Sequence, residues 1–355
     1  TPPVAANGRI FVAQPDAHAV HAVSAEDGRL LWSFLADGRV DSPPTLYRGL
    51  CIFGSADGHV YCLSAADGQL AWRFRAAPED RHVCVKNQLE SVWPVHGSVL
   101  VRDGKIYCTA GRSSHLDGGI HVYALNPADG KLVHQTLLYS EEPDVSKYGG
   151  RPFDMEGARS DILVAGAEDI YLFQQRFNPD LTLQPMPRIT KLGDRRGESH
   201  LVTTDGFLDK PWFNRTYWAH GERWPGYYFT YRGPKSGQII VFDDTATYAL
   251  KVYTERRGHS PEFRPGSGYQ LIADRNTTQP VLDVMDIGAE KGRGFSRTEL
   301  PIWSQRIPIR VQGMLLAGQR LYVAGGPDRP SELEAHEAMV GKGGSIFRVV
   351  STSDG

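Results

Sequence analysis

One phrase occurs twice near the start of this 355-residue chain: AEDGRLLW at 25–32 and AADGQLAW at 65–72. Its tryptophans, Trp32 and Trp72, stand 40 residues apart, and the sequence upstream repeats in phase. TPPVAANGRIFVA (1–13) matches SPPTLYRGLCIFG (42–54), which sets Gly8 and Gly49 41 residues apart. A repeat of about 40 residues built from short β-rich runs has the length of one four-stranded propeller blade, and this constrains the fold more than composition does.

The second copy shows the grammar. SPPTLYRG, LCIFGSADG, HVYCLSAADG and QLAWRF read as four strands, punctuated by Arg48-Gly49, Asp57-Gly58 and Asp67-Gly68. Asp-Gly between alternating apolar runs favours tight antiparallel turns, since glycine takes positive φ at no steric cost. A third copy joins GSVLVRDGKIYCTAG (97–111) to IHVYALNPADGKLVH (120–134), and Gly130 follows Gly68 by 62 residues. The surplus over the repeat lies mainly in 74–98 and 112–119, and His134 stands where tryptophan stood. The stretches 155–177, 200–221, 238–253, 268–275 and 300–309 read as weaker strands, and the pattern is clear again over 311–326 and 344–355. Helical periodicity is nearly absent. Six units count directly, and a seventh or eighth stays open. The last unit reaches Ser353-Asp354-Gly355, where earlier copies go on to a fourth strand. The reading is therefore one domain over 1–355, either part of a longer chain or with a last blade one strand short.

The phrase A-x-D-G-x-x-x-W on strands of this spacing resembles the PQQ-like β-propeller repeat, the tryptophan-docking repeat of quinoprotein dehydrogenases and BamB-type proteins. The matching positions are Ala25, Asp27, Gly28 and Trp32, then Ala65, Asp67, Gly68 and Trp72, with Ala124, Asp129 and Gly130 as a partial third copy. The resemblance implies an all-β propeller of six to eight four-stranded antiparallel blades. It gives Gly28, Trp32, Gly68, Trp72 and Gly130 a structural role, with each indole between neighbouring blades. It also implies a bacterial protein in the periplasm or at the cell surface.

Composition removes several function classes. The net charge is −2 and no Lys/Arg-rich block stands out, so neither nucleic acid nor an acidic membrane surface is the expected partner. No apolar run approaches the roughly 18 residues of a spanning helix. The four cysteines, Cys51, Cys62, Cys84 and Cys108, form no C-x-x-C pair. Cys51 and Cys62 flank the turn Ala56-Asp57-Gly58. They read either as a disulfide across a hairpin or as two small apolar strand residues.

Nothing in the sequence carries catalysis. The quinoprotein dehydrogenases that this repeat resembles have an adjacent Cys-Cys pair and an assignable calcium set, and neither is found here. His18 and His21 would face opposite sides of a strand, and Asp274-Arg-Asn276-Thr-Thr278 lacks the glycine and the final glutamate of a calcium loop. The expectation is no catalytic residue, no metal and no cofactor. Two aromatic and polar insertions are the ligand-binding candidates: Glu90, Trp93 and His96 in 88–98, and Asp209, Trp212, Arg215 and Trp218 in 207–224. The competing reading has them cap the propeller and close its core. The function expected is a non-catalytic extracytoplasmic scaffold that binds other proteins. The alternatives are a glycan- or small-ligand-binding propeller and a divergent quinoprotein dehydrogenase.

Overall fold

A computed structural model describes residues 1–85, 87–139, 162–172, 175–185, 195–203, 218–223, 233–251, 268–287, 290–328, 331–339 and 341–355. The fold is an all-β propeller with seven blade sheets, each running antiparallel from first to last strand. Two compact units share them. One holds Thr1–Met186 with Gly206–Asp209, the other Pro187–Asp205 with Lys210–Gly355.

The first unit carries four sheets of four strands. Sheet 1 is Val4–Ala6, Arg9–Gln14, Ala19–Ser24 and Leu30–Leu35. Sheet 2 is Thr45–Tyr47, Leu50–Gly54, His59–Ser64 and Leu70–Arg75. Sheet 3 is Leu100–Arg102, Lys105–Ala110, Ile120–Leu125 and Leu132–Leu138. Sheet 4 is Leu163–Ala165, Ile170–Leu172, Gln175–Phe177 and Leu183–Gln184. A two-stranded hairpin, His82–Val85 with Gln88–Ser91, occupies the insertion between sheets 2 and 3.

The second unit carries three sheets. Sheet 5 is Arg195–Thr203, Trp218–Arg223 and Ser236–Gly237. Sheet 6 is Ile239–Phe242, Ala246–Lys251, Tyr269–Arg275 and Trp303–Ile307, and sheet 7 is Ile309–Ala317, Arg320–Pro327 and Ile346–Ser351. The hairpin Pro280–Ile287 with Glu290–Arg297 is inserted between the last two strands of sheet 6. One short helix, Glu332–Met339, sits in the loop before the last strand, where the sequence showed no helical period.

The indoles explain how the sheets hold together. Trp32 lies opposite Ala22 on the fourth strand of sheet 1, yet its partner is in sheet 2. Its Nε1 donates to the Ala65 carbonyl at 3.2 Å, and a Cβ on Gly68 would come within 2.8 Å of its ring. Trp72, opposite Cys62, repeats this on sheet 3, donating to the Pro127 carbonyl at 2.8 Å with a Gly130 Cβ position 2.6 Å from its ring. The glycine therefore serves the preceding sheet's tryptophan and not the one that follows it in sequence. Gly28 has positive φ, but nothing lies within 4 Å of its Cβ position.

The register also decides the cysteines. Cys51 pairs with Leu63 and Cys62 pairs with Ile52, so they sit one residue out of step and point to opposite faces of sheet 2. Cys51 joins the core shared with sheet 1, and Cys62 the core shared with sheet 3. All four cysteines are free, and the disulfide reading gives way to two apolar strand residues.

Candidate functional site

Three connections meet at one end of sheets 1–3: residues 36–44 between sheets 1 and 2, the 55–58 turn of sheet 2, and the 78–98 insertion. Backbone bonds tie them together. Ala56 N–H donates to the Arg39 carbonyl, Ser91 N–H to Ala56, Val95 N–H to Ser55, and Gly111 N–H to Pro94. This frame holds a chain of charged side chains. Glu90 is buried and paired with Arg39. The Arg39 guanidinium donates to both Asp41 carboxylate oxygens, at 3.2 and 3.4 Å, and His96 Nδ1 meets Asp41 at 2.7 Å.

Burial alone would raise the Asp41 carboxyl. The hydrogen bonds and positive charges of His96 and Arg39 outweigh it and lower the pKa to about 2. The ionised Asp41 accepts the Nδ1 hydrogen of His96. Ser42, next to Asp41, donates its hydroxyl to the His96 carbonyl and is spent in holding the loop.

Trp93 belongs to an adjoining cluster. It is 4% exposed, its Nε1 donates to the Asp117 carbonyl at 2.8 Å, and the Arg81 guanidinium lies 4.8 Å above its ring. Asp117 also pairs with Arg81 at 2.8 Å and with Arg112 at 2.7 Å. Its indole is therefore committed to the insertion and to the 112–119 loop. The inserted hairpin contributes one further tie, His18 Nε2 to Gln88 Oε1 at 3.2 Å.

Of the second candidate set, Asp209, Trp212 and Arg215 lie outside the described residues. Trp218 is half-buried and pairs with Thr203 and Gly237 in sheet 5. Asp274, in the weak calcium-like stretch, takes Arg297 at 2.5 Å and the Lys235 backbone N–H at 2.8 Å. Lys251, which the sequence reading passed over, is buried with its Nζ donating to the Gly233 carbonyl at 2.6 Å. Burial, helped by the Arg297 charge, lowers its pKa to about 7. No group of three or more His, Cys, Asp or Glu side chains among the described residues could hold a metal ion.

The reading missed Arg39 and Asp41, which organise the first cluster. They lie 57 and 55 residues before His96, and no local motif joins such positions.

Residues 1–148 match the family model described as outer membrane protein assembly factor BamB. Among solved structures, the chain is similar to the quinohemoprotein alcohol dehydrogenase ADHIIG from Pseudomonas putida HK5, at a TM-score of 0.54 and 12% identity, over 99% of this chain and 64% of that one. It is similar also to the quinohemoprotein alcohol dehydrogenase of Comamonas testosteroni, at a TM-score of 0.51 and 12% identity, over 99% of this chain and 65% of that one. The chain thus spans less than two thirds of either enzyme, and at this identity the likeness is one of fold. No curated protein matches the chain in sequence. No helix among the described residues is long and apolar enough to cross a membrane.

Proposed function

On the premise that residues 1–148 are PQQ-like propeller repeats, we propose that the chain is a non-catalytic, extracytoplasmic propeller that binds other proteins. The observation that carries this reading is how the polar end of sheets 1–3 uses its side chains. Glu90, Arg39, Asp41 and His96 form one internal chain, and Trp93, Arg81, Asp117 and Arg112 form another. Both tie an inserted loop to the blades. The Ser42 hydroxyl is taken by the His96 backbone carbonyl. Such an arrangement closes and stiffens a surface, which suits a rigid platform for a partner.

The cysteines support the same reading. The nearest two in sequence, Cys51 and Cys62, are 11 residues apart and face opposite sides of their sheet. An adjacent pair stacked on a quinone cannot come from them. The experiment is a dye-linked oxidation assay with alcohols and sugars, after incubation with pyrroloquinoline quinone and Ca²⁺. No quinone-dependent turnover is expected. Turnover that requires the quinone overturns the non-catalytic reading.

A further inference from the structure

We infer that Asn7-Gly8 is a self-modifying site, a turn that converts Asn7 to aspartate and isoaspartate with water as the only co-reactant. This chemistry is independent of the protein-binding reading above.

The chain has six asparagines, and Asn7 alone is followed by glycine. Asn126 and Asn178 precede proline, whose nitrogen carries no hydrogen and cannot attack a neighbouring amide. Asn87, Asn214 and Asn276 precede Gln, Arg and Thr, whose side chains crowd the attacking nitrogen. Asn276 is also held at both ends of its amide. Its Oδ1 accepts the Thr247 hydroxyl at 2.7 Å, and its Nδ2 donates to the Asp243 carbonyl at 2.7 Å.

Asn7 and Gly8 form the two-residue turn between Val4–Ala6 and Arg9–Gln14, with φ at 50° and 71°. Positive φ at both positions is the hairpin geometry that Asn-Gly favours. The ladder closes at the Ala6–Arg9 pair, and both turn residues are exposed. Nothing lies within 4 Å of the Gly8 Cβ position, so the Gly8 nitrogen is open to its neighbour's side chain. Ala25 N–H donates to the Gly8 carbonyl at 2.9 Å, but no acceptor takes the Gly8 N–H among the described residues. The Asn7 amide makes no hydrogen bond among them either. The corresponding turns of sheets 2 and 3, Arg48-Gly49 and Asp103-Gly104, are exposed in the same way. Those sheets share cores with a sheet on either side, so the openness belongs to the turn itself.

The step balances without any oxidant or partner. The Gly8 nitrogen gives its proton to water and attacks Asn7 Cγ. The N–Cγ bond forms, the Cγ–Nδ2 bond breaks, and Nδ2 leaves as ammonia with a proton returned by water. Water then opens the five-membered imide at one carbonyl to give aspartate, or at the other to give isoaspartate. Either product is a new carboxylate with Arg9 two residues on, and the Arg9 Nε is buried with no partner. Asp27 with Arg29 and Asp129 with Lys131 already pair at this spacing, at 3.9 and 2.8 Å. The Asp-Gly turns of the other hairpins are the slower counterparts. An ionised carboxylate offers no ammonia to expel, and Asp27, Asp67 and Asp129 each accept the N–H two residues on.

The test holds the folded protein at neutral pH and physiological temperature and follows residue 7 by peptide mass spectrometry. A synthetic peptide of residues 1–13 is incubated beside it. The expected result is a gain of one mass unit at Asn7 in two isomeric products, faster at higher pH, one of which an isoaspartyl methyltransferase labels. The folded protein should convert within about tenfold of the peptide rate, a barrier difference under about 1.4 kcal/mol. Asn7→Gly keeps a residue that accepts the turn's positive φ, so it should melt near wild type and yield no product. Intact Asn7 in the folded protein after the peptide has converted overturns the inference. So does conversion at Asn87 or Asn276 as fast as at Asn7. Conversion seen only in urea would mean that the folded turn blocks the attack, and would overturn it too.

Discussion

The docks at the two ends of the chain differ in sequence but are alike in structure. In sheets 1 and 2 the phrase A-x-D-G-x-x-x-W ends in the docked tryptophan, whereas Trp303 of sheet 6 follows a 27-residue connection (276–302) and has no Asp-Gly before it. All three indoles nevertheless make the same contacts. Each donates to the carbonyl that begins the next sheet's turn and covers the glycine that ends it. The repeated object is thus a pairing between sheets, Trp32 with Gly68, Trp72 with Gly130, and Trp303 with Gly355. The linear phrase joins halves of two different docks.

If that comparison holds, the largest losses come from the indoles, wherever they lie in sequence. Trp72→Ala and Trp303→Ala should each lower the unfolding free energy by about 3–5 kcal/mol, as other buried tryptophans do. Urea unfolding of the two variants beside wild type measures it. If Trp303→Ala costs under about 1 kcal/mol, below the range for a buried aromatic, the third dock is not equivalent to the others.

The glycines sharpen the point. Gly28 and Gly130 occupy the same turn position with the same left-handed backbone, at φ 71° and 68°. Gly28→Ala adds only backbone strain, about 1–2 kcal/mol. Gly130→Ala adds the same strain and also drives a methyl into the Trp72 ring, for about 1–3 kcal/mol more. The two alanine variants compared by urea unfolding separate turn from dock. Equal losses would mean that the glycine serves only its own turn.

This division shows what the sequence could carry. The turns are local chemistry, so Asp-Gly after each alternating run marked the sheets of 1–134 directly. The dock joins residues such as Trp303 and Gly355, 52 positions apart, and no local pattern links them. The insertion in sheet 6 broke the only spacing that could have flagged Trp303. The candidate site had the same limit. Glu90, Trp93 and His96 were visible as an odd polar and aromatic insertion, but their partners Arg39, Asp41 and Asp117 lie in other connections. Helix Glu332–Met339 is barely two turns long, too short to impose a readable period.

The polar end predicts an acid sensitivity centred on Asp41. The folded Asp41 pKa is depressed to about 2. Its stabilisation is therefore complete above the unfolded carboxyl pKa, near 4. It is lost as pH falls from there through the folded value. Over that window Asp41 should contribute about 2 kcal/mol. Thermal unfolding from pH 6 to 2 should therefore fall less steeply for Asp41→Asn than for wild type. Parallel curves would remove Asp41 as the source.

The smallest expected effect tests the pairing rule where the molecule departs from it. Between sheets 3 and 4 both halves of the dock are replaced. His134 lies opposite Ala124, the place of the tryptophan, and Leu181 follows Asp180 where Gly68 follows Asp67. The turn closes one residue shorter, with Leu181 N–H donating to the Asn178 carbonyl, but Thr182 N–H donates to Asp180 as Gln69 N–H donates to Asp67, and Leu181 holds φ at 66° without being glycine. The carbonyl an indole would use is also occupied, because Tyr107 donates its hydroxyl to Pro179 at 2.8 Å. A tryptophan at 134 would meet the buried Leu181 side chain. His134→Trp and Leu181→Gly should therefore each destabilise, the first by overpacking and the second by loss of buried apolar surface. Together they should destabilise by less than the sum, with a favourable coupling of about 1 kcal/mol. Urea unfolding of the two single variants and the double variant closes the cycle. Additive losses would mean that the glycine and the tryptophan are independent features of the turn and the strand, and not two halves of one contact.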